Sequence, residues 1–242
     1  MKVEGRNAVY ELLKTDKEID KILVQKDLKD DASKRLINVI RSHKVKLQPV
    51  DKYVIEKESE SKRHQGFIAY VSDYKYFEIE DILDSVQEEN ALVVILNEIL
   101  DPHNLGSIIR VCECVGANGL IIGKDRSASV SDTVMRISAG ALNHVKVAKV
   151  TNINTAIDTL KENGFWVFGA ETGGSDIYKT DLTGKVCLVI GGEDSGVKRL
   201  TKEKCDGIIS IPMFGKVNSL NASVACGIAA YEVVRQRINK SK

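Results

Sequence analysis

The stretch Ile211-Pro212-Met213-Phe214-Gly215-Lys216-Val217-Asn218-Ser219-Leu220-Asn221-Ala222-Ser223-Val224-Ala225 decides how the chain is read. Residues 207–211 form an apolar strand that Pro212 ends, because proline has no N–H for the ladder and its φ is fixed. After a loop with Gly215, Ser219-Leu220-Asn221 opens a helix rich in small residues: Ala222, Ser223, Ala225, Cys226, Gly227, Ala229 and Ala230. The side-chain oxygens of Ser219 and Asn221 suit the free N–H groups of a first turn. Alone, this is also an ordinary strand–loop–helix unit. Two stretches upstream give it weight.

Upstream, Ala91-Leu92-Val93-Val94-Ile95-Leu96 is apolar on both faces, as a strand is when both sides of its sheet are covered. A loop over 97–105 and a helix over 106–117 follow. Apolar strands are read at 119–123, 144–150, 165–170, 185–190 and 207–211, and helices at 132–142 and 154–163. This alternation predicts an α/β domain with one central, mostly parallel sheet. In such sheets ligands sit beyond the carboxyl ends of the strands. Three polar, glycine-bearing loops are expected there, at 171–174, 191–196 and 212–221. None carries a phosphate-binding Gly-rich run ending in Lys-Ser/Thr, and none has G-x-G-x-x-G, so a P-loop or conventional dinucleotide site is not expected. Glycines here either make turns or let backbone approach a ligand closely.

The first 72 residues read differently. A helix over 7–13 with Asn7 as its N-cap, a strand at 19–25, a helix at 32–42 and strands at 45–50 and 66–72 suggest a small α/β sandwich. Lys62, Arg63 and His64 lie in a charged, flexible approach to the last strand. They can meet phosphate groups or simply be solvated. Residues 73–90 read as an acidic linker in which Ile79, Ile82, Leu83 and Val86 can form a short amphipathic helix. The expected division is 1–72, linker 73–90, and 91–242.

Charge and composition bound the function. The 242 residues carry a formal net charge of +1, which argues against a strongly basic nucleic-acid coat but leaves room for a local basic face. Residues 1–71 hold 16 Lys and Arg against 12 Asp and Glu, whereas 72–90 hold 1 against 7. The five cysteines form no CxxC pair, and neither they nor the four histidines have metal-ligand spacing. No apolar run nears the roughly 18 residues that span a membrane. The N-terminus lacks the apolar core of a targeting signal. The reading is a soluble, cytoplasmic protein.

Three stretches together resemble the SpoU/TrmH family of RNA ribose 2′-O-methyltransferases in the SPOUT class. They are Asn104-Leu105-Gly106-Ser107-Ile108-Ile109-Arg110, Leu188-Val189-Ile190-Gly191-Gly192-Glu193-Asp194-Ser195-Gly196-Val197, and the segment from Ile211-Pro212-Met213 to Ser219-Leu220-Asn221-Ala222-Ser223-Val224-Ala225. The trio, in order and spacing, is far more specific than any one of them. Gly5-Arg6-Asn7-Ala8-Val9 and His64-Gln65-Gly66 further resemble the RlmB branch, which methylates a guanosine ribose of bacterial 23S rRNA.

The resemblance implies a deep C-terminal trefoil knot, an exception to the usual unknotted chain. It also implies S-adenosylmethionine bound in bent form by backbone groups, a homodimer with the site at the subunit interface, and an N-terminal L30-like domain that helps hold RNA. It assigns Arg110 first to catalysis. A guanidinium can pair with a substrate phosphate and stabilise a developing alkoxide, but with a pKa above about 12 it is no simple general base. Asn104 can orient the ribose or Arg110, or cap a helix. Glu193 can fix its loop, contact RNA or make a salt bridge. Ser219 and Asn221 can orient the substrate hydroxyl or cap. Gly191, Ile211 and Leu220 match donor-contacting positions, and Gly192, Thr172 and Met213 join them as donor-binding candidates. His103 and His144 read as bland, Cys112 and Cys114 as packing. A tRNA 2′-O-methyltransferase of the same family and a catalytically silent RNA-binding module are the alternatives.

Overall fold

The computed structural model describes residues 1–15, 17–43, 45–72, 74–86, 89–192 and 196–240. The chain divides into two compact units, Met1–Lys75 and Tyr76–Lys242.

In the first unit, β1 (Lys2–Glu4), β2 (Glu18–Gln25), β3 (Leu47–Val50) and β4 (Phe67–Ser72) form a sheet in the order β1-β4-β2-β3. β4 runs antiparallel to both neighbours and β3 parallel to β2. Side chains alternate across a strand. Ile22, Val24, Phe67 and Ala69 therefore share a face and pack with Val9 and Leu12 of α1 (Arg6–Leu12) and Leu36 and Ile40 of α2 (Asp31–Ser42). On the other face Leu23 and Ile68 meet Ile55 of α3 (Lys52–Glu58). The small sandwich is as expected, with β1 and α3 in addition. The N-cap differs: α1 is preceded by Gly5 at φ +99°, and Asn7 lies inside the helix.

In the second unit, α4 (Ile79–Leu83) comes first. Its Ile82 is fully buried in the core, so this part of the acidic stretch is a packed element of the second unit. Then follow β5 (Ala91–Asn97), α5 (Pro102–Cys114), β6 (Gly119–Gly123), α6 (Asp132–Ile137), β7 (Val147–Val150), α7 (Ile153–Glu162), β8 (Trp166–Asp176), β9 (Lys185–Gly191), α8 (Arg199–Lys204), β10 (Gly207–Ser210) and α9 (Ala222–Lys240). The strands form one sheet in the order β10-β8-β9-β5-β6-β7, every pair parallel. All seven residues of β5 are buried. Ala91, Val93 and Ile95 face a core shared with α7 and Ile82, while α5 and α9 pack against each other and reach β6 and β9. At about 1.5–3 kcal/mol per buried aliphatic side chain, this central strand is a major stabilising element.

Two boundaries depart from expectation. α5 starts at Pro102, not 106, because the Asp101 carboxylate accepts the His103 N–H (2.9 Å) and proline is at home in a first turn. β8 continues to Asp176 through the stretch read as a polar loop. Pairing with β10 resumes after an interruption: Ile208 sits opposite Gly169, but Ile209 opposite Ser175, which leaves 170–174 bulged out of the ladder.

Candidate active site

The carboxyl ends of β8, β9 and β10 and the opening of α9 enclose a cavity of about 330 Å3. Its walls are apolar at Ile177, Ile190, Ile209, Ile211 and Leu220 and polar at Glu171, Thr172 and Ser219, with the backbones of Gly191, Gly192 and Gly196 between. Every donor-binding candidate from the sequence lines it: Thr172, Gly191, Gly192, Ile211, Met213 and Leu220. Ser219 lines it too. Met213 and Ser219 are exposed at the rim.

Close backbone packing requires the glycines. A Cβ on Gly191 would fall inside the van der Waals shells of the Gly196 and Val197 backbone, and one on Gly192 would lie 2.7 Å from the Glu98 carbonyl oxygen. The loop is then tied from several sides. Gly192 N–H donates to the Asn97 carbonyl (3.0 Å) and Lys198 N–H to the Asn97 side-chain oxygen (2.8 Å). Val197 N–H donates to the Glu171 carboxylate (3.2 Å), which also pairs with Lys202. Glu98, at φ +64°, binds Lys198 (2.9 Å) and Arg126 (3.5 Å). The Lys198 hydrogen bond is the main reason its carboxyl lies below the usual carboxylate range. The sequence reading missed Asn97, Glu98, Glu171 and Lys202. The polar residues directly after the apolar run of β5 were the available signal for the first two.

Asn104 is buried in the first turn of α5, and its side-chain oxygen accepts a hydrogen bond from the Asn221 amide at 2.9 Å. Asn221 in turn caps α9: its oxygen accepts the Ser223 N–H (2.9 Å) and the Val224 N–H (3.4 Å). The capping alternative therefore holds for Asn221 and fails for Asn104, since α5 is capped by Asp101. Small residues make the α5–α9 contact close, and Cys112 and Cys226 are buried in the two helices. The hydrogen bond to Cys226 and burial push the Cys112 thiol well above its ordinary pKa, which fits packing, not reactivity.

Arg110 is elsewhere. Six residues beyond Asn104 it lies roughly 9 Å further along α5 and about 120° round the axis. It is exposed and has no ion-pair partner among the described residues. It does not line the cavity. Glu193 lies outside the described residues. His103 and His144 are exposed. Among the described residues no three His, Cys, Asp or Glu side chains are grouped to hold a metal ion, and no helix is long and apolar enough to cross a membrane.

A parallel sheet with a glycine-lined pocket at the carboxyl ends of its strands makes the second unit a ligand-binding α/β domain. Residues 91–231 match the SpoU rRNA methylase family, and residues 2–77 match the RNA 2′-O ribose methyltransferase substrate-binding family. The chain belongs to the SpoU family. A protein of Staphylococcus saprophyticus named for the TrmH family of tRNA/rRNA methyltransferases is 42% identical over 97% of this chain and 95% of its own length. The Bacillus subtilis protein YacO, named likewise, is 39% identical over the same shares. Among solved structures, the SpoU methyltransferase AviRb of Streptomyces viridochromogenes, in complex with AdoMet, superposes with a TM-score of 0.64 at 24% identity, covering 99% of this chain and 91% of that one. At that identity the likeness speaks for the fold. A TrmH/SpoU tRNA-modifying enzyme of A. aeolicus matches with a TM-score of 0.58 at 30% identity over 67% of this chain and 82% of its own.

The second unit thus has the SPOUT α/β-knot fold. The chain is an S-adenosylmethionine-dependent RNA 2′-O-ribose methyltransferase. The cavity fits that donor: apolar walls suit an adenine ring, and three glycines leave main-chain groups bare for its polar parts.

Proposed function

We propose that the protein methylates a guanosine ribose of 23S rRNA, in the cytoplasm, as a homodimer. The observation that carries this is a glycine-lined cavity in a chain whose residues 2–77 match the substrate-binding family. The donor, when bound, supplies an electrophilic methyl group. The chain's own residues do the rest. Gly191, Gly192, Ile211 and Leu220 hold the donor, with Thr172 and Met213 at the rim. Asn104 and Asn221 fix the α5–α9 junction beside the cavity and orient the ribose. Ser219 faces the substrate hydroxyl, and Glu193 steadies its loop. Arg110 holds a substrate phosphate and draws charge off the attacking oxygen.

Arg110 lies outside the cavity of its own chain, which supports a site shared between two copies. Phe214 (98% exposed) and Val217 (71%) in the loop at the cavity mouth and Val224 on α9 are apolar surface that such a partner would cover. A silent RNA-binding module is disfavoured by the cavity that the described donor-binding candidates line. A tRNA substrate is the second reading, favoured by the tRNA/rRNA naming of the relatives.

The test is methyl transfer from labelled S-adenosylmethionine to unmodified large-subunit rRNA and, separately, to bulk tRNA, with Arg110→Ala as control. Label in an rRNA ribose, lost in the variant, is the expected result. Label only in tRNA keeps the chemistry and overturns the substrate.

A further inference from the structure

The charged segment before β4, expected to be flexible, is folded onto the N-terminal strand. The Glu4 carboxylate sits at its centre. It accepts hydrogen bonds from the Ser59 hydroxyl (2.7 Å), the Glu60 N–H (2.6 Å), the Ser61 N–H (3.1 Å) and the Ser61 hydroxyl. The two hydroxyls pass the order on: Ser59 Oγ accepts the Lys62 N–H (2.9 Å) and Ser61 Oγ the Arg63 N–H (3.1 Å). Further along, Gln65 accepts the Arg6 N–H (3.1 Å), and His64 Nδ1 accepts the Gly66 N–H (3.1 Å). That last bond needs a lone pair on Nδ1, so a neutral ring carries its proton on Nε2. Lys62 and Gln65 are held at φ +56° and +48°, a left-handed backbone that non-glycine residues adopt at some cost.

The N–H groups of residues 59–63 are all bonded within the first unit, yet Lys62 and Arg63 are exposed and have no acidic partner among the described residues. Arg6, tied to Asp30 at 2.7 Å, stands at the loop's base, where the Arg63 carbonyl closes on Gly5. A loop kept only for connection needs no carboxylate core and no strained residues. A loop that must grip a polyanion gains from being ordered beforehand, because ordering it on binding costs about 1–2 kcal/mol per residue. The carboxylate serves that end without pairing directly with the loop's cations, since its contacts are four local N–H and O–H donors. Burial works against the charged form, but the Ser61, Glu60 and Ser59 hydrogen bonds outweigh it and bring the Glu4 pKa down to about 2.

We propose that the 59–65 loop is a preformed clamp for the RNA sugar–phosphate backbone, with Lys62, Arg63 and His64 as its contacts and Glu4 as the positioning residue that keeps it folded. This rests on the assignment of RNA as substrate and names the surface of the first unit that holds it.

The test uses the full chain and an unmodified large-subunit rRNA transcript, with binding measured across a salt series. Lys62→Ala/Arg63→Ala is expected to weaken binding about tenfold and to lower the slope of log affinity against log salt by roughly two phosphate contacts. Glu4→Gln is expected to raise the dissociation constant about fivefold while keeping the wild-type slope, since both cations remain; a merely structural role would not separate the two readouts. The affinity for S-adenosylmethionine reports the second unit in each variant and is expected to stay at the wild-type value. If wild-type protein binds the transcript and the double variant binds it equally well with the same slope, the clamp is overturned, whatever Glu4→Gln does to folding. If wild-type protein does not bind the transcript or bulk tRNA while binding the donor, the assignment of RNA substrate falls instead.

Discussion

Asn221 donates its side-chain amide to the side-chain oxygen of Asn104 at 2.9 Å, across 117 residues of sequence. One end of this bond opens α9 at the cavity, and the other is buried in the first turn of α5. It joins the first and third sequence motifs. Asn221→Ala takes this hydrogen bond from the buried Asn104, at about 1 kcal/mol. Asn221→Ala also removes the α9 cap, which adds about 1 kcal/mol. The two single alanine variants and their double, compared by denaturant unfolding, are expected to show a coupling of at least 0.5 kcal/mol. Additive effects would mean that the bond does not connect the helices energetically.

The motif spacing carried more than local periodicity did. β5 and β9 were legible because a strand covered on both faces is apolar throughout, and the cavity-lining residues were legible through the three motifs of the family resemblance. β1 was not legible, since three residues with half-buried side chains leave no pattern. The continuation of β8 through Glu171-Thr172-Gly173-Gly174-Ser175 was hidden for the opposite reason. Glu171 and Thr172 line the cavity and Gly173 turns at φ +83°, so the stretch reads as a loop although it lies within the strand. Glu4 gave no signal at all, because its partners lie 55–57 residues away.

Gly191 tests close backbone packing at the cavity. Gly191→Ala places a methyl group against the Gly196 and Val197 backbone, which cannot rotate aside as a side chain would. A loss of about 3 kcal/mol in stability and a clear loss of donor binding by calorimetry are expected. Gly215→Ala, where nothing lies within 4 Å, is the control and is expected to stay within about 0.5 kcal/mol of wild type.

Glu171 reaches the same loop through its side chain. Glu171→Gln keeps an acceptor for the Val197 N–H but loses the charge facing Lys202. Both groups are partly solvated, so the effect on stability is expected to be small, below about 1 kcal/mol. Donor affinity is expected to fall severalfold, because Glu171 also lines the cavity. Lys202→Met leaves the carboxylate in place; equal donor affinities in the two variants would show that the ion pair, not the wall it forms, is what matters.

Glu4 contributes to the pH dependence of the first unit, alongside Asp30 and Glu58, whose carboxyls are also held below their ordinary range by hydrogen bonds. The Glu4 pKa is depressed from 4.5 to about 2 in the folded chain. The unfolded chain therefore binds the proton more readily, and the stabilisation is complete above about 4.5 and disappears as pH falls toward 2. Wild type and Glu4→Gln, unfolded in denaturant between pH 3 and pH 7, are expected to differ most at the upper end and to converge on acidification. A constant gap would mean that the glutamine costs stability through packing alone.

Arg110 separates chemistry from binding. Arg110→Ala is expected to leave S-adenosylmethionine affinity unchanged, because the residue does not line the cavity, and to lower turnover on RNA by about 100-fold or more. Arg110→Lys is expected to recover little, since an ammonium cannot reproduce the two parallel hydrogen bonds of a guanidinium to phosphate. If the arginine serves a partner's cavity, a second inactive variant distinguishes the arrangement. Ser219→Trp fills the cavity from its exposed rim and leaves Arg110 intact. Mixing it with Arg110→Ala and letting the subunits exchange gives dimers in which one site has both an open cavity and an arginine. In an equal mixture about a quarter of all sites are then complete, and activity is expected to return to about that fraction. No recovery despite proven exchange would place Arg110 and the cavity it serves in one chain, and would require α5 to bring the arginine to its own donor pocket when RNA binds.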